Sequence, residues 1–229
     1  MTPARVLAIG AHPDDVEFFA GATVAGLVAS GAEVGIVVCT DGARGGAGNG
    51  VALAERRRVE AERAAAALGA RAPIVLGHPD GGLVAADPLR RDLVREIRRM
   101  RPELLLLHDP TTLWTPVGKI VQLGHSDHRA AGQAALDAVY PRLFLESFYP
   151  ELAAEGFKPW LVRELWLFDT GEPDHFVEVG RMRDTKRVAL ACHESQHVPG
   201  LVAGAAALEL AFGRRPGEEA EAFRRLRLA

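Results

Sequence analysis

Cysteine is scarce: Cys39 and Cys192 are the only two in 229 residues. They lie far apart in apolar runs with no CxxC partner, so they read as buried free thiols rather than a disulfide or metal framework. Long hydrophobic runs are missing too, and no stretch approaches the roughly 20 apolar residues that cross a bilayer. The run Val6–Ala11 is cut by His12 and Asp14 before it could serve as the core of a secretion signal, so a soluble cytoplasmic protein is expected. Charge of one sign is also lacking. With 27 Lys and Arg against 30 Asp and Glu the net charge is −3, which offers no basic field to a nucleic acid or an anionic membrane, and neither is an expected partner. The sequence contains no G-x-x-x-x-G-K-[ST], no G-x-G-x-x-G after the first strand and no G-x-S-x-G, which removes nucleotide cradles and the serine-nucleophile elbow.

What is present is a globular composition, 48% hydrophobic and 25% charged, in a length that suits one α/β domain over residues 1–229. Through the first 140 residues short apolar runs alternate with helix-period segments. Strands are expected at 6–10, 33–40, 73–76 and 103–107, and helices at about 18–29, 52–68, 89–99 and from 125 to 131. That alternation predicts a Rossmann-like, doubly wound and mainly parallel sheet covered by helices on both faces. Beyond Tyr140 a C-terminal appendage is expected, with strands at 161–168 and 175–179, a helix near 185–197 and a small-residue helix near 203–212. Gly42 to Gly50 reads as a flexible loop. The Arg runs at 56–58 and 98–99 read as solvated helix faces. The aromatics Phe144, Phe148, Tyr149, Phe157 and Trp160 read as core or as the cover of a subunit contact, so a homo-oligomer is a possible assembly.

In an open α/β sheet, ligands bind at the carboxyl ends of the strands. The loops there carry the polar residues: Ala11-His12-Pro13-Asp14-Asp15 after the first strand and His125-Ser126-Asp127-His128 after the fourth. Imidazole and carboxylate suit Zn²⁺ or a similar divalent ion, and two loops on one edge could share it with a coordination position left for water. The competing reading is that Asp14 or Asp15 merely caps the next helix, and that histidines at a helix start are surface polars. A rival motif is His193-Glu194-Ser195-Gln196-His197, which fits the H-E-x-x-H pattern of zinc proteases, although Pro199 follows closely and no third histidine lies at a suitable distance.

The two paired motifs resemble those of the PIG-L/LmbE-like N-deacetylases, and the resemblance extends over nearly the whole chain through Thr40-Asp41-Gly42, Arg58-Val59-Glu60, Pro79-Asp80-Gly81 and Leu190 to Gln196. It implies a hydrolase that uses one divalent metal, zinc or iron, to remove acetyl from an N-acetylated amino sugar or related small amide. By the same resemblance His12, Asp15 and His128 match metal ligands and Asp14 the general base. His125 matches an acid or oxyanion partner, thought to act as imidazolium, and Asp127 would orient an imidazole. Asp80 and Arg58 match substrate-contacting positions. Leu123 stands where some sugar deacetylases carry a Tyr, which leaves a non-catalytic sugar- or metal-binding relative as a further reading.

Overall fold

The computed structural model describes residues 3–45, 50–117, 120–196 and 220–228. Four βα units lead the chain: β1 (Arg5–Gly10) and α1 (Asp15–Ala29), β2 (Glu33–Thr40) and α2 (Gly50–Leu68), β3 (Ile74–His78) and α3 (Asp87–Met100), and β4 (Leu104–His108) with α4 (Ser126–Asp137). A hairpin, β5 (Trp114–Val117) and β6 (Ile120–Leu123), is inserted between β4 and α4. After a short α5 (Pro150–Ala154) come β7 (Glu164–Phe168), β8 (His175–Glu178), α6 (Arg183–Ala191) and β9 (Ala220–Arg227).

The main sheet has the order β3-β2-β1-β4-β7-β9-β8. Its first five strands run parallel, and β9 lies antiparallel between β7 and β8. The strands β1, β2 and β4 are nearly continuous runs of Val, Ile and Leu because helices cover both of their faces. One face packs Leu7, Ile9, Leu105 and Leu107 against α3 and α4, and the other packs Val6, Ala8, Leu104 and Leu106 against α1 and α2. The doubly wound α/β expectation is therefore met.

Several local expectations are corrected. The β5–β6 hairpin and β9 were not expected. The helix expected to reach His197 ends at Ala191 and is followed by a single 3-10 turn at Glu194–Gln196. Cys39 is buried, but Cys192 is only partly so. Two of the arginines read as solvated are buried: Arg57, and Arg98, which donates to the carbonyls of Leu143, Arg142 and Leu145. The small-residue helix near 203–212 and part of the Gly42–Gly50 loop lie outside the described residues. Among the described residues no helix is long and apolar enough to cross a membrane.

Candidate metal and active site

Two close approaches of backbone bring the site together. At Gly10, a Cβ would sit 3.1 Å from that of Asp15, so the chain turns tightly out of β1 into α1. At Gly132, a Cβ would collide with the carbonyl oxygen of His108, so α4 rests directly on the end of β4. The first turn of α4 thereby faces the loop after β1, and His12, His125 and His128 meet. Ring centroids are 4.7 Å apart for His12 and His125, 5.3 Å for His12 and His128, and 5.1 Å for His125 and His128.

Asp15 lies at the centre of this group. Its Oδ2 is 3.5 Å from His12 Nδ1 and accepts the His12 N–H at 2.7 Å, while its Oδ1 is 3.2 Å from His128 Nε2. His12 Nε2 is also 3.3 Å from Asp80 and 3.4 Å from Asp127. Asp127 accepts the N–H groups of Gly81 and Leu83, which ties the loop after β3 to α4. The alternative of a simple helix cap fails, because no side chain caps the N-terminus of α1. His125 does cap α4, its Nδ1 accepting the N–H of Asp127 at 3.1 Å.

The charges are mutually dependent. Burial opposes a proton on His12, yet the charge of Asp15 and the contacts with Asp127 and Asp80 outweigh it and push His12 up to about 12. His128 likewise resists burial and is raised to about 9 by Asp15 and Asp169. Burial disfavours charge on Asp15, but His128, His108 and His12 hold its carboxyl well below the usual range. The bond with His12 and the N–H of Arg44 bring Asp80 down to about 2. Asp14 goes the other way: burial pushes its carboxyl up, and Arg57 offsets this only in part. His125 is lowered by burial and by its two histidine neighbours, which favours neutral imidazole over the expected imidazolium.

Arg58 is not part of this cluster. It points outward from α2 and pairs with Glu55 and Glu62. The preceding residue, Arg57, is the one turned inward, 3.2 Å from Asp14, 3.8 Å from Asp80 and donating to the Gly42 carbonyl. Sequence reasoning also gave no role to His108, at the end of β4, or to Asp169, just after β7. His193 is buried 3.6 Å from Glu17, and its pKa is raised by Glu17 and Asp14 despite burial. The geometry does not support the H-E-x-x-H reading, which needs two histidines one turn apart on an α-helix. Here α6 has already ended, Glu194 is exposed near Arg56, and Ser195 is anchored to Glu60. His197 lies outside the described residues.

Among the described residues, three overlapping groups hold candidate ligand atoms within 4.8 Å of one another: His12, His125 and His128; Asp15, His108 and His128; and His12, Asp80 and Asp127. No one of these groups holds all three expected ligands: His12 and His128 share the first, and Asp15 stands with His128 in the second. The donor chemistry fits a divalent cation. Several carboxylates already hold protons on buried imidazoles, and a cation would take over the same negative field.

A family model described as "PIG-L: GlcNAc-PI de-N-acetylase" matches residues 7–139. The chain belongs to the PIG-L family. It is 33% identical over 195 residues to the diacetylchitobiose deacetylase of Thermococcus kodakarensis, a match covering 84% of this chain and 70% of that protein. It is also 33% identical over 170 residues to the 1D-myo-inositol 2-acetamido-2-deoxy-alpha-D-glucopyranoside deacetylase of Nakamurella multipartita, covering 60% of this chain and 55% of that one. Among solved structures, the N,N'-diacetylchitobiose deacetylase of Pyrococcus horikoshii superposes with a TM-score of 0.86 at 27% identity, over 98% of this chain and 84% of the other. The 4-carboxy-2-hydroxymuconate hydratase GalB of Pseudomonas putida shares the fold, with a TM-score of 0.79 at 23% identity over 98% of this chain and 97% of that one.

Proposed function

We propose that the chain is a metal-dependent N-deacetylase that hydrolyses the acetamide of an N-acetylated amino sugar or a related small amide. The observation that carries this reading is the meeting of His12 from the loop after β1 and Asp15 from the start of α1 with His128 from α4, beside an Asp14 whose carboxyl is raised and backed by Arg57. Diacetylchitobiose and the acetamido-glucopyranoside conjugate, the substrates named for the relatives, supply the substrate class.

His12, Asp15 and His128 would hold the ion, zinc by preference among the metals that accept two imidazoles and a carboxylate, with iron(II) next. Bound there, it supplies Lewis acidity toward the amide carbonyl and acidifies a water. Asp14 takes a proton from the attacking water as the new C–O bond forms. His125 uses Nδ1 to accept the Asp127 N–H, so its Nε2–H is a donor for the developing oxyanion. As the C–N bond breaks, the proton held by Asp14 passes to the departing amine, and acetate and free amine leave. Asp80 and Arg57 pack beside His12 and Asp14 and are the polar groups proposed to hold sugar hydroxyls.

The test is amine release from N,N'-diacetylchitobiose and related N-acetylated sugars. Chelation should abolish release and added Zn²⁺ should restore it. Asp14→Asn should keep stoichiometric metal while losing about 10²–10⁴-fold in kcat, the span of a lost general base. Turnover that survives chelation, or an Asp14→Asn variant with full activity, would overturn the proposal. A wild type that binds metal and sugar without any release would identify a binding protein instead.

A further inference from the structure

Behind the proposed ligands lies a closed ring of four side chains from four different element ends. His108 Nε2 is 2.9 Å from Asp15 Oδ2, and His108 Nδ1 is 3.7 Å from Asp169 Oδ2. Asp169 Oδ2 is 2.8 Å from His128 Nδ1, and His128 Nε2 returns to Asp15 Oδ1 at 3.2 Å. The rings of His108 and His128 stack at 4.0 Å with 22° between planes. Phe19 packs edge-on against both, and Phe168 against His108.

Resting on the metal-site reading above, we propose that Asp169, with His108, is a positioning residue that sets the affinity of the site for its divalent ion. Asp169 accepts the Nδ1–H of His128, so that once Nε2 gives up its proton the imidazole is left with its lone pair on Nε2, the atom facing Asp15. His108 Nε2 lies 2.9 Å from Asp15 Oδ2, which also accepts the His12 N–H, so Oδ1 is the carboxylate oxygen left facing His128. Outer partners of this kind orient ligands and raise their basicity.

The backbone at Asp169 supports a role beyond packing. Its φ is +55, a conformation unfavourable for a residue with a side chain unless its surroundings impose it. The surroundings here are specific. Thr170 Oγ1 donates to Asp109 at 2.6 Å and the Asp109 N–H donates to the Phe168 carbonyl, so the ends of β4 and β7 are tied together on either side of the aspartate. Held in this way, its carboxylate reaches over the end of the sheet to α4.

The same strain provides the control. Asp169→Gly removes the carboxylate while easing the positive φ, so the fold should not suffer, and Asp169→Asn keeps the shape and loses the charge. Zn²⁺ affinity is measured by competition with a chelator, and ligand geometry by the visible absorption of Co²⁺-substituted protein. Both variants should bind Zn²⁺ about 10–100-fold more weakly than wild type and show an altered Co²⁺ spectrum, with thermal stability before metal addition unchanged or higher. Wild-type affinity and spectrum in Asp169→Gly would overturn the inference and leave the proposed function standing. A wild type that takes up no divalent ion would overturn both.

Discussion

Arg57 and Arg58 are adjacent in sequence and opposite in fate, because successive residues on a helix point about 100° apart. Arg57 is buried against Asp14 and Asp80, whereas Arg58 stands in solvent between Glu55 and Glu62. The resemblance located the right turn of α2 but assigned the contact to the outward arginine. Replacing Arg57 with Ala removes the cation that lowers the Asp14 carboxyl, so that carboxyl titrates higher still. A base must be ionised to act, so the acid limb of the kcat/KM profile should move to higher pH, with kcat/KM down at least about tenfold at neutral pH. Arg57→Lys should recover only part of this, since an ammonium cannot reproduce the guanidinium's simultaneous contacts with Asp14, Asp80 and the Gly42 carbonyl. Arg58→Ala should leave the profile unchanged. Kinetics across the pH range on these three variants decide the assignment, and equal effects from Arg57→Ala and Arg58→Ala would refute it.

At the scale of elements, the four leading βα units were legible because their signals are local: apolar runs for the buried strands, helix periodicity between them and polar residues crowded after each strand. His12, Asp15, His125 and His128 were legible for the same reason, since each motif occupies one turn. β9 was not, because Ala220-Glu-Ala-Phe-Arg-Arg-Leu-Arg combines good helix formers with four charges. Glu221 is nevertheless buried, bonded to Lys186 and to the N–H groups of Ala22 and Thr23 on α1. Those partners are more than 30 residues away and leave no local trace, and the same holds for Asp169, which reaches His128 only once β7 lies beside β4. Gly132 makes the dependence of the site on packing testable. In an ordinary helix interior Ala would be favoured over Gly by about 1 kcal/mol. Here its methyl meets the His108 carbonyl, and overpacking of that kind costs about 1–3 kcal/mol. We expect the clash to prevail, so Gly132→Ala should lower stability in denaturant unfolding. It should also weaken Zn²⁺ binding, because α4 carries His125 and His128. A more stable variant with unchanged metal affinity would show that α4 does not depend on this approach.

For the whole molecule, the gathering of carboxylates and protonated imidazoles at one sheet edge couples folding, metal and pH. An ion that binds only the folded chain at 100 times its dissociation constant adds about 2.7 kcal/mol. At roughly 2–4 °C per kcal/mol for a chain of this size, that is a rise in Tm of about 5–10 °C. The sign of the pH dependence follows from the ligands. His128 is raised to about 9 and His12 to about 12, so both carry protons between pH 6 and 8, and those protons must leave before the nitrogens can bind a cation. Each displaced proton weakens metal affinity about tenfold per unit of falling pH, or about 1.4 kcal/mol. With Zn²⁺ fixed at 100 times the dissociation constant found at pH 8, even one displaced proton brings pH 6 down to about equal concentrations of ion and dissociation constant. The increment there should shrink to under about 1 kcal/mol and the Tm shift to about 1–2 °C. Thermal unfolding with and without Zn²⁺ at pH 6, 7 and 8 measures this. His12→Ala and His128→Ala should show little shift at any of the three values. A shift in the wild type that stays constant from pH 6 to 8 would mean that the ion is held by groups other than these imidazoles.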